Sequence, residues 1–407
     1  MIAGELDFAV AQRELLALVQ PLAPVALPLD EAHGHVLADT PTARWQLPLA
    51  DQATMDGWAV RSADLLASPT PQVRLRRRGE SAAGHPHDQP LHPGEALRIS
   101  TGALIPAGAD MVVAQEDCRV HGDHVDVDRD QVGEVRPGHF VRLAGSDVLA
   151  GAPLLPAGSL LGPGELGLLA GCGHATAHVH RPPRVAILCT GDELVPVGAW
   201  PQRGQVVSSN GLMLAWMARE VGAEVTDLGI AVDEPDTLRR ALERGLDFDV
   251  LVTCGGISVG DHDLVLPTLI GLGGELVFRR LRLRPGRPCT LLRAPGPAGP
   301  CLVFALPGNP ASAHVGFELL VRPALRRLQG HAACLRPTRE VTLTAPAPRD
   351  ARRVHMVRAR VDGEQATPLP AQVSGDLRSI AGHNALLELS SGTGPLPAGA
   401  RVTAHLL

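Results

Sequence analysis

The chain has 407 residues, 45% of them hydrophobic and 20% charged, with a net charge of −6. That length accommodates two to four domains. The mild acidity argues against a nucleic-acid binder, and no run approaches the ~20 apolar residues of a membrane span. The start, MIAGELDFAV, carries acids and lacks the basic residues of a secretory signal, so a cytoplasmic location is expected. Seven cysteines are scattered without a C-x-x-C pair, which gives no sign of a zinc ribbon or a thioredoxin motif. The chain contains no lysine, so every fixed side-chain cation is arginine.

Residues 7–20 have helical spacing, with Phe8, Leu15, Leu16 and Val19 on one face. From 46 to 142 the chain is rich in Gly, Pro and short alternating runs such as VRLRR, ALRIS and HVDVD, the pattern of a small β domain. Residues 158–173 read as a short helix closed by glycines. After the RPPR linker, VAILCTG (185–191) predicts a buried strand. A helix is predicted over 210–222, capped by Asn210, with Leu212, Trp216 and Val221 among its apolar positions. A strand at 224–230, a helix at 234–246, the strand DVLVTC, a helix-like HDLVLPTLIGLG and the strand CLVFAL follow. A long helix over 309–330 is capped by Asn309, with Pro310 in its first turn. FRRLRLR reads as a strand with an arginine-rich exposed face, and PGPAGP at 295–300 as a loop or hairpin tip. This strand–helix alternation predicts a parallel sheet covered on both faces. The tail from 331 returns to short strands, predicting a small barrel or sandwich.

Ligands of such a sheet bind beyond the carboxyl ends of its strands. Three conspicuous loops fall there: TGDELVPVG (190–198), TCGGISVGDHD (253–263) and LPGNP (306–310), the last opening a helix whose amides face an anion. Gly255, Gly256 and Gly260 let backbone N–H groups turn outward. Asp192, Glu193, Asp261 and Asp263 place carboxylates beside those donors. Donors and carboxylates together suit a phosphorylated ligand with a hard divalent cation such as Mg²⁺. The plainer alternatives are that Asp261 caps a helix and Asp192 shapes a turn. In RPGRP (284–288), Arg284 and Arg287 stand on a stiff loop suited to binding an oxyanion, or simply to solvent. TMDGWAV, STGALIPAGAD and VRLAGSDV alone read as ordinary turns.

Taken together, MDGWA (55–59), TGALIPAGAD (101–110), TGDEL (190–194), GGISVGDHD (255–263), RPGRP (284–288) and LPGNPASA (306–313) resemble the MoeA family, the molybdopterin molybdenumtransferases related to the C-terminal domain of gephyrin. The motifs stand in family order across almost the whole chain. The resemblance implies an α/β and β multidomain fold. Its parts would be an elongated discontinuous domain (1–45 and 143–181), an inserted β domain (46–142), a MogA-like, doubly wound, molybdopterin-binding α/β domain (182–330) and a C-terminal β-barrel (331–407). It implies a homodimer whose active site lies between the α/β domain of one subunit and the β domain of the other. The implied reaction is Mg²⁺-dependent insertion of molybdate into adenylylated molybdopterin, with release of AMP. Implied partners are a molybdopterin adenylyltransferase and downstream cofactor-maturation proteins.

Carried over by motif, the catalytic set is Asp56, Thr101, Glu193, Asp263, Arg284 and Arg287. Glu193, Asp261 and Asp263 would hold the metal. Gly255, Gly256, Ser258, Gly260, Pro307, Gly308, Asn309, Pro310, Arg142, Asp147 and Ser379 would bind the cofactor, with Asn384 in the same C-terminal segment as Ser379. The family's usual KPGKP is RPGRP here, MDGY is MDGW, and GED is GSD at 145–147. Arginine for lysine keeps the charge but is bulkier and bidentate. Alternative functions are tungstate insertion, the adenylylating step itself, or a non-catalytic cofactor-binding scaffold.

Overall fold

The computed structural model describes residues 5–257, 264–297 and 299–407. The first helix, Phe8–Leu18, is capped by Asp7, whose Oδ1 accepts from the Ala9 N–H at 2.9 Å. Phe8, Ala11, Leu15 and Val19 belong to the same buried cluster as Val185, Ile187 and Phe304 of the α/β unit. The first 45 residues therefore serve two cores. The strand Pro24–Pro28 pairs antiparallel with the distant Thr176–His180. With the helix Pro163–Gly171 they enclose Leu37, Leu161, Leu169 and Val179.

Between these halves lies a six-stranded sheet. Its order is Met111–Ala114, Gly57–Val60, Glu95–Ile99, Gln72–Ser81, His124–Asp128, Cys118–His121. One of its cores is built on Trp58, Leu75, Val113 and Val125, the other on Ala59, Leu97 and Ile99. The alternation visible in the sequence produces these two apolar faces.

The α/β unit is a second six-stranded sheet, ordered Glu224–Ala231, Arg184–Thr190, Val250–Cys254, Cys301–Leu306, Thr290–Ala294, Glu275–Arg279. The first four strands are parallel and the last two antiparallel. The sheet is thus mixed at one edge rather than wholly parallel. The 295–300 segment joins two antiparallel neighbours, as a hairpin tip should. The strand expected over 278–284 ends at Arg279 because Arg280 turns the chain with a φ of 64°. Leu283–Arg284 then pairs with the barrel strand Val354–Asp362.

Two helices differ from the sequence reading. Ser209–Glu220 begins one residue early, with Ser208 rather than Asn210 at its cap. It presents Gly211, Leu214, Ala215 and Ala218 to the core, leaving Leu212 and Trp216 exposed. Small residues on that face bring the helix close to the sheet; a Cβ on Gly211 would sit 3.2 Å from Cys189 Sγ. The long helix runs as Pro310–Gly316, a π-type turn Phe317–Val321, then Arg322–Leu328. Pro323 has no N–H to donate one turn back, and a widened turn absorbs that loss. All five predicted tail strands form: Thr338–Leu343, Val354–Asp362, Gln365–Pro368, Ala385–Leu389 and Arg401–Leu406. They close into a barrel, since Val354–Asp362 also pairs with Ala385–Leu389. Among the described residues no helix is long and apolar enough to cross a membrane.

Candidate active site

The parallel strands Arg184–Thr190, Val250–Cys254 and Cys301–Leu306 end side by side, with Cys189 opposite Cys254 and Cys254 opposite Leu306. Their loops wall a cavity of about 700 Å³. Glu193, Gly255, Gly256, Pro307, Gly308, Asn309 and Pro310 line it. Two of the glycines are obligatory. Gly255 has a φ of 105°, and a Cβ there would lie 2.3 Å from the Thr190 carbonyl oxygen. Gly256 has a φ of 62°, and its Cβ would meet Val265 Cγ2 at 2.6 Å. The Gly255 N–H donates to Leu306 O at 3.0 Å, tying two of the loops together.

LPGNP is held from both sides. Asn210 Nδ2 donates to Gly308 O at 2.7 Å and to Cys254 Sγ at 3.2 Å. Cys254 in turn donates to Pro307 O at 3.4 Å. Its hydrogen bond to Cys189, together with burial, pushes the Cys254 thiol well above the ordinary range, so it remains a neutral donor. Asn309 occupies the expected cap position, but the Ala311 N–H donates to Ser374 O at 3.0 Å. That amide anchors the loop to the barrel segment instead of facing a ligand.

Asp192 lies in a turn closed by the Leu194 N–H to Gly191 O at 3.2 Å, and its side chain reaches another loop instead: Oδ1 accepts from the Asp233 N–H at 2.9 Å. Asp233 itself lines the cavity with Glu193, a carboxylate that the sequence reading missed. Carboxylate oxygens are the donor type that a hard divalent cation takes, and both wall residues carry them. Among the described residues no three Asp, Glu, His or Cys side chains gather into a metal-sized cluster. Ser258, Gly260, Asp261 and Asp263 lie outside the described residues.

Arg284 and Arg287 do not line this cavity. They line a neighbouring one of about 490 Å³ with Ser312, Arg353, His355 and Ser374, and Pro288 borders both. Arg284 Nη1 donates to Asp350 at 3.3 Å, and Arg287 Nε to Glu5 at 2.5 Å. Beneath them Arg358 is fully buried; Nε donates to Ser379 O and Nη1 to Met356 O, both at 3.2 Å. Among the described residues, Arg358 Nη2 and Ser379 Oγ find no hydrogen-bond partner. Burial, and then the Arg284 charge, bring Arg358 down to about 10 and His355 down to about 4. A buried cation beside another cation is costly unless an anion joins them. Ser379 is buried, so its side chain belongs beneath this cavity rather than on the 700 Å³ one.

Three family matches cover most of the chain. Residues 6–173 match the MoeA N-terminal region (domain I and II), 186–327 a probable molybdopterin binding domain, and 340–407 the MoeA C-terminal region (domain IV). A Mycobacterium tuberculosis protein named molybdopterin molybdenumtransferase 2 is 34% identical, covering 96% of this chain and 97% of its own length. The chain belongs to the MoeA family. A Bacillus subtilis molybdopterin molybdenumtransferase is 33% identical over 93% of this chain and 89% of its own. The crystal structure of a molybdopterin biosynthesis MoeA protein from Pyrococcus horikosii superposes with a TM-score of 0.86, at 29% identity and 99% coverage of both chains. Like its MoeA relatives this chain is an enzyme, a transferase of molybdenum cofactor biosynthesis.

The remaining predicted residues of this MoeA chain sit in or next to the inserted β domain. Asp56 Oδ1 accepts from the Thr101 N–H at 2.7 Å and from its hydroxyl at 2.8 Å, and these bonds lower the carboxyl pKa. The next residue must be glycine, because a Cβ on Gly57 would fall 1.9 Å from Val113 O. Arg142 and Asp147 form a two-pronged ion pair. None of these four lines either cavity. Asn384 bonds both backbone groups of Val361 and braces the barrel. Sequence reasoning missed Asn210, Asp233, Arg358 and His355. Arg358 left no mark in the sequence: it alternates with Val357, Ala359 and Val361 of the barrel core, and only the packing of Met356 into the α/β core shows that its own face is covered too.

Proposed function

We propose that this enzyme inserts molybdate into adenylylated molybdopterin and releases AMP, as a homodimer of four-domain subunits divided as the family resemblance implies. The observation that carries the proposal is the pair of adjoining cavities, joined at Pro288. One has glycine-rich loops and carboxylates. The other has arginines, and beneath it lie two buried donors, Arg358 Nη2 and Ser379 Oγ, without partners among the described residues. The first suits a pterin phosphate ligand, with the Gly255–Gly256 turn against its phosphates. The second suits a tetrahedral dianion, which the planar forks of Arg284 and Arg287 grip with paired hydrogen bonds.

Glu193, with Asp261 and Asp263, would hold Mg²⁺, whose bound charge stabilises negative charge on phosphate oxygens. The chain's own part is placement. Pro307, Gly308, Asn309 and Pro310 form one wall, and Asn210 fixes that wall by its bond to Gly308. The arginines hold the anion a short distance from the ligand's sulfurs, converting a bimolecular encounter into a positioned one. Asp56, Thr101, Arg142 and Asp147 would act from a second subunit, closing the cleft over its partner. The substrate presupposes an adenylyl transfer onto the pterin phosphate upstream, and the product passes to cofactor-maturation proteins.

Incubating the enzyme with adenylylated molybdopterin, Mg²⁺ and molybdate tests the proposal. Molybdate-dependent AMP release with metal-loaded cofactor is expected. ATP-dependent adenylylation of free molybdopterin would instead assign the preceding step.

A further inference from the structure

Glu5 pairs with two of the cations that line the second cavity. Its Oε1 accepts from Arg287 Nε at 2.5 Å, and its Oε2 lies 3.6 Å from Arg353 Nε. Arg287 and Arg353 both line that cavity. The placement of Glu5 is built into the backbone. The next residue, Leu6, forms a parallel bridge with Leu281. Its N–H donates to Arg280 O at 3.0 Å, and the Arg282 N–H donates to Leu6 O at 2.7 Å. The carboxylate is thus clasped to the stretch that runs directly into RPGRP.

Arg284 is paired differently. Its partner Asp350 also accepts from the Arg352 and Arg353 N–H groups at 2.9 and 3.0 Å, which fixes that carboxylate in a turn. Glu5 is a monoanion at the end of a flexible side chain. The Arg287 and Glu5 side chains are 44% and 24% exposed, so their pair separates at small cost. A tetrahedral dianion offers twice the charge and several oxygens to the same guanidinium groups.

We propose that Glu5 is an internal competitor for the oxyanion: it holds Arg287 and Arg353 until the dianion displaces it, and so sets the affinity of the cavity. The inference rests on the reading of that cavity as the molybdate site. Sodium molybdate, titrated calorimetrically at fixed ionic strength into the 407-residue wild type, Glu5→Gln, Arg287→Gln, the double variant of these two and Arg284→Gln, tests it. Glu5→Gln is expected to bind molybdate about two- to tenfold more tightly, Arg287→Gln more weakly. In the double variant the gain from Glu5→Gln should shrink, because one competed cation is gone. The KM for molybdate in turnover should fall in parallel for Glu5→Gln; a purely structural role would move thermal stability without moving either constant. Unchanged or weaker binding by Glu5→Gln, with Arg287→Gln impaired, overturns the competitor role and leaves the cavity reading standing. Binding unaffected by Arg287→Gln and by Arg284→Gln overturns the cavity reading itself, and the inference with it.

Discussion

Gly255 and Gly308 sit on facing loops of the same cavity, yet they differ in what a side chain would meet. At Gly255 an added methyl lands 2.3 Å from a backbone oxygen at a φ of 105°; at Gly308 its nearest neighbour is Gly255 Cα at 3.8 Å. Gly255→Ala should therefore cost about 1–3 kcal/mol in urea unfolding and lower turnover at least about tenfold. Gly308→Ala should stay within about 0.5 kcal/mol of wild type. Equal effects would mean that the loop geometry is not what these glycines provide. Asp56 offers a test in pH. Its bonds to Thr101 hold the carboxyl below its ordinary value, so Thr101→Val, which removes the hydroxyl donor, should raise the midpoint. A carbon-13 titration of the Asp56 carboxyl reads this directly, and an unmoved midpoint would assign the shift elsewhere. At this scale the sequence was informative where chemistry leaves a local mark, as in the Gly255 turn and the Arg284–Arg287 loop. It was silent on Asn210 and Asp233, because a single polar residue at a helix start or after a strand looks the same whether or not it faces a cavity.

Elements were legible where periodicity was strong. The barrel strands follow from alternation, and the first helix from its apolar spacing. What spacing did not tell is which core a helix joins. The helix Phe8–Leu18 buries Leu15 completely in the α/β core, 170 residues before that unit's own Val185. Leu15→Ala should accordingly cost about 2–5 kcal/mol. It should lower the unfolding transition of the α/β unit, read by hydrogen exchange in the strand Val250–Cys254. Protection lost only in the segment before residue 45 would contradict that packing. The face of Ser209–Glu220 was misjudged for a related reason: both Leu212–Trp216 and Leu214–Ala218 satisfy helical spacing, and only the contact with the sheet chooses between them. The strand expected through 278–284 failed because Arg280 adopts a left-handed turn that no residue preference announces.

Across the whole molecule, buried histidines set the response to acid. Burial brings His314 down from the ordinary value of 6.5 to about 3, and His331 and His355 down to about 4. Each is neutral when folded and free to protonate when unfolded. Between pH 6.5 and about 4 the unfolded chain thus binds more protons, and stability must fall as the pH falls. Tm measured at pH 7, 5.5 and 4.5 should decline steadily; a constant Tm would mean these histidines are already solvated. The association of domains was not legible from periodicity at all; family motifs supplied it, and the two adjoining cavities give it a chemical sense. Turnover of adenylylated molybdopterin with molybdate, comparing wild type with Arg284→Gln and Arg287→Gln, tests whether one cavity holds the pterin phosphate ligand and its neighbour the oxyanion. Molybdate-dependent AMP release by the wild type is expected, with each variant showing a raised KM for molybdate and little change in affinity for the pterin substrate. AMP release that ignores molybdate, or variants that lose the pterin substrate while keeping the anion, would contradict it.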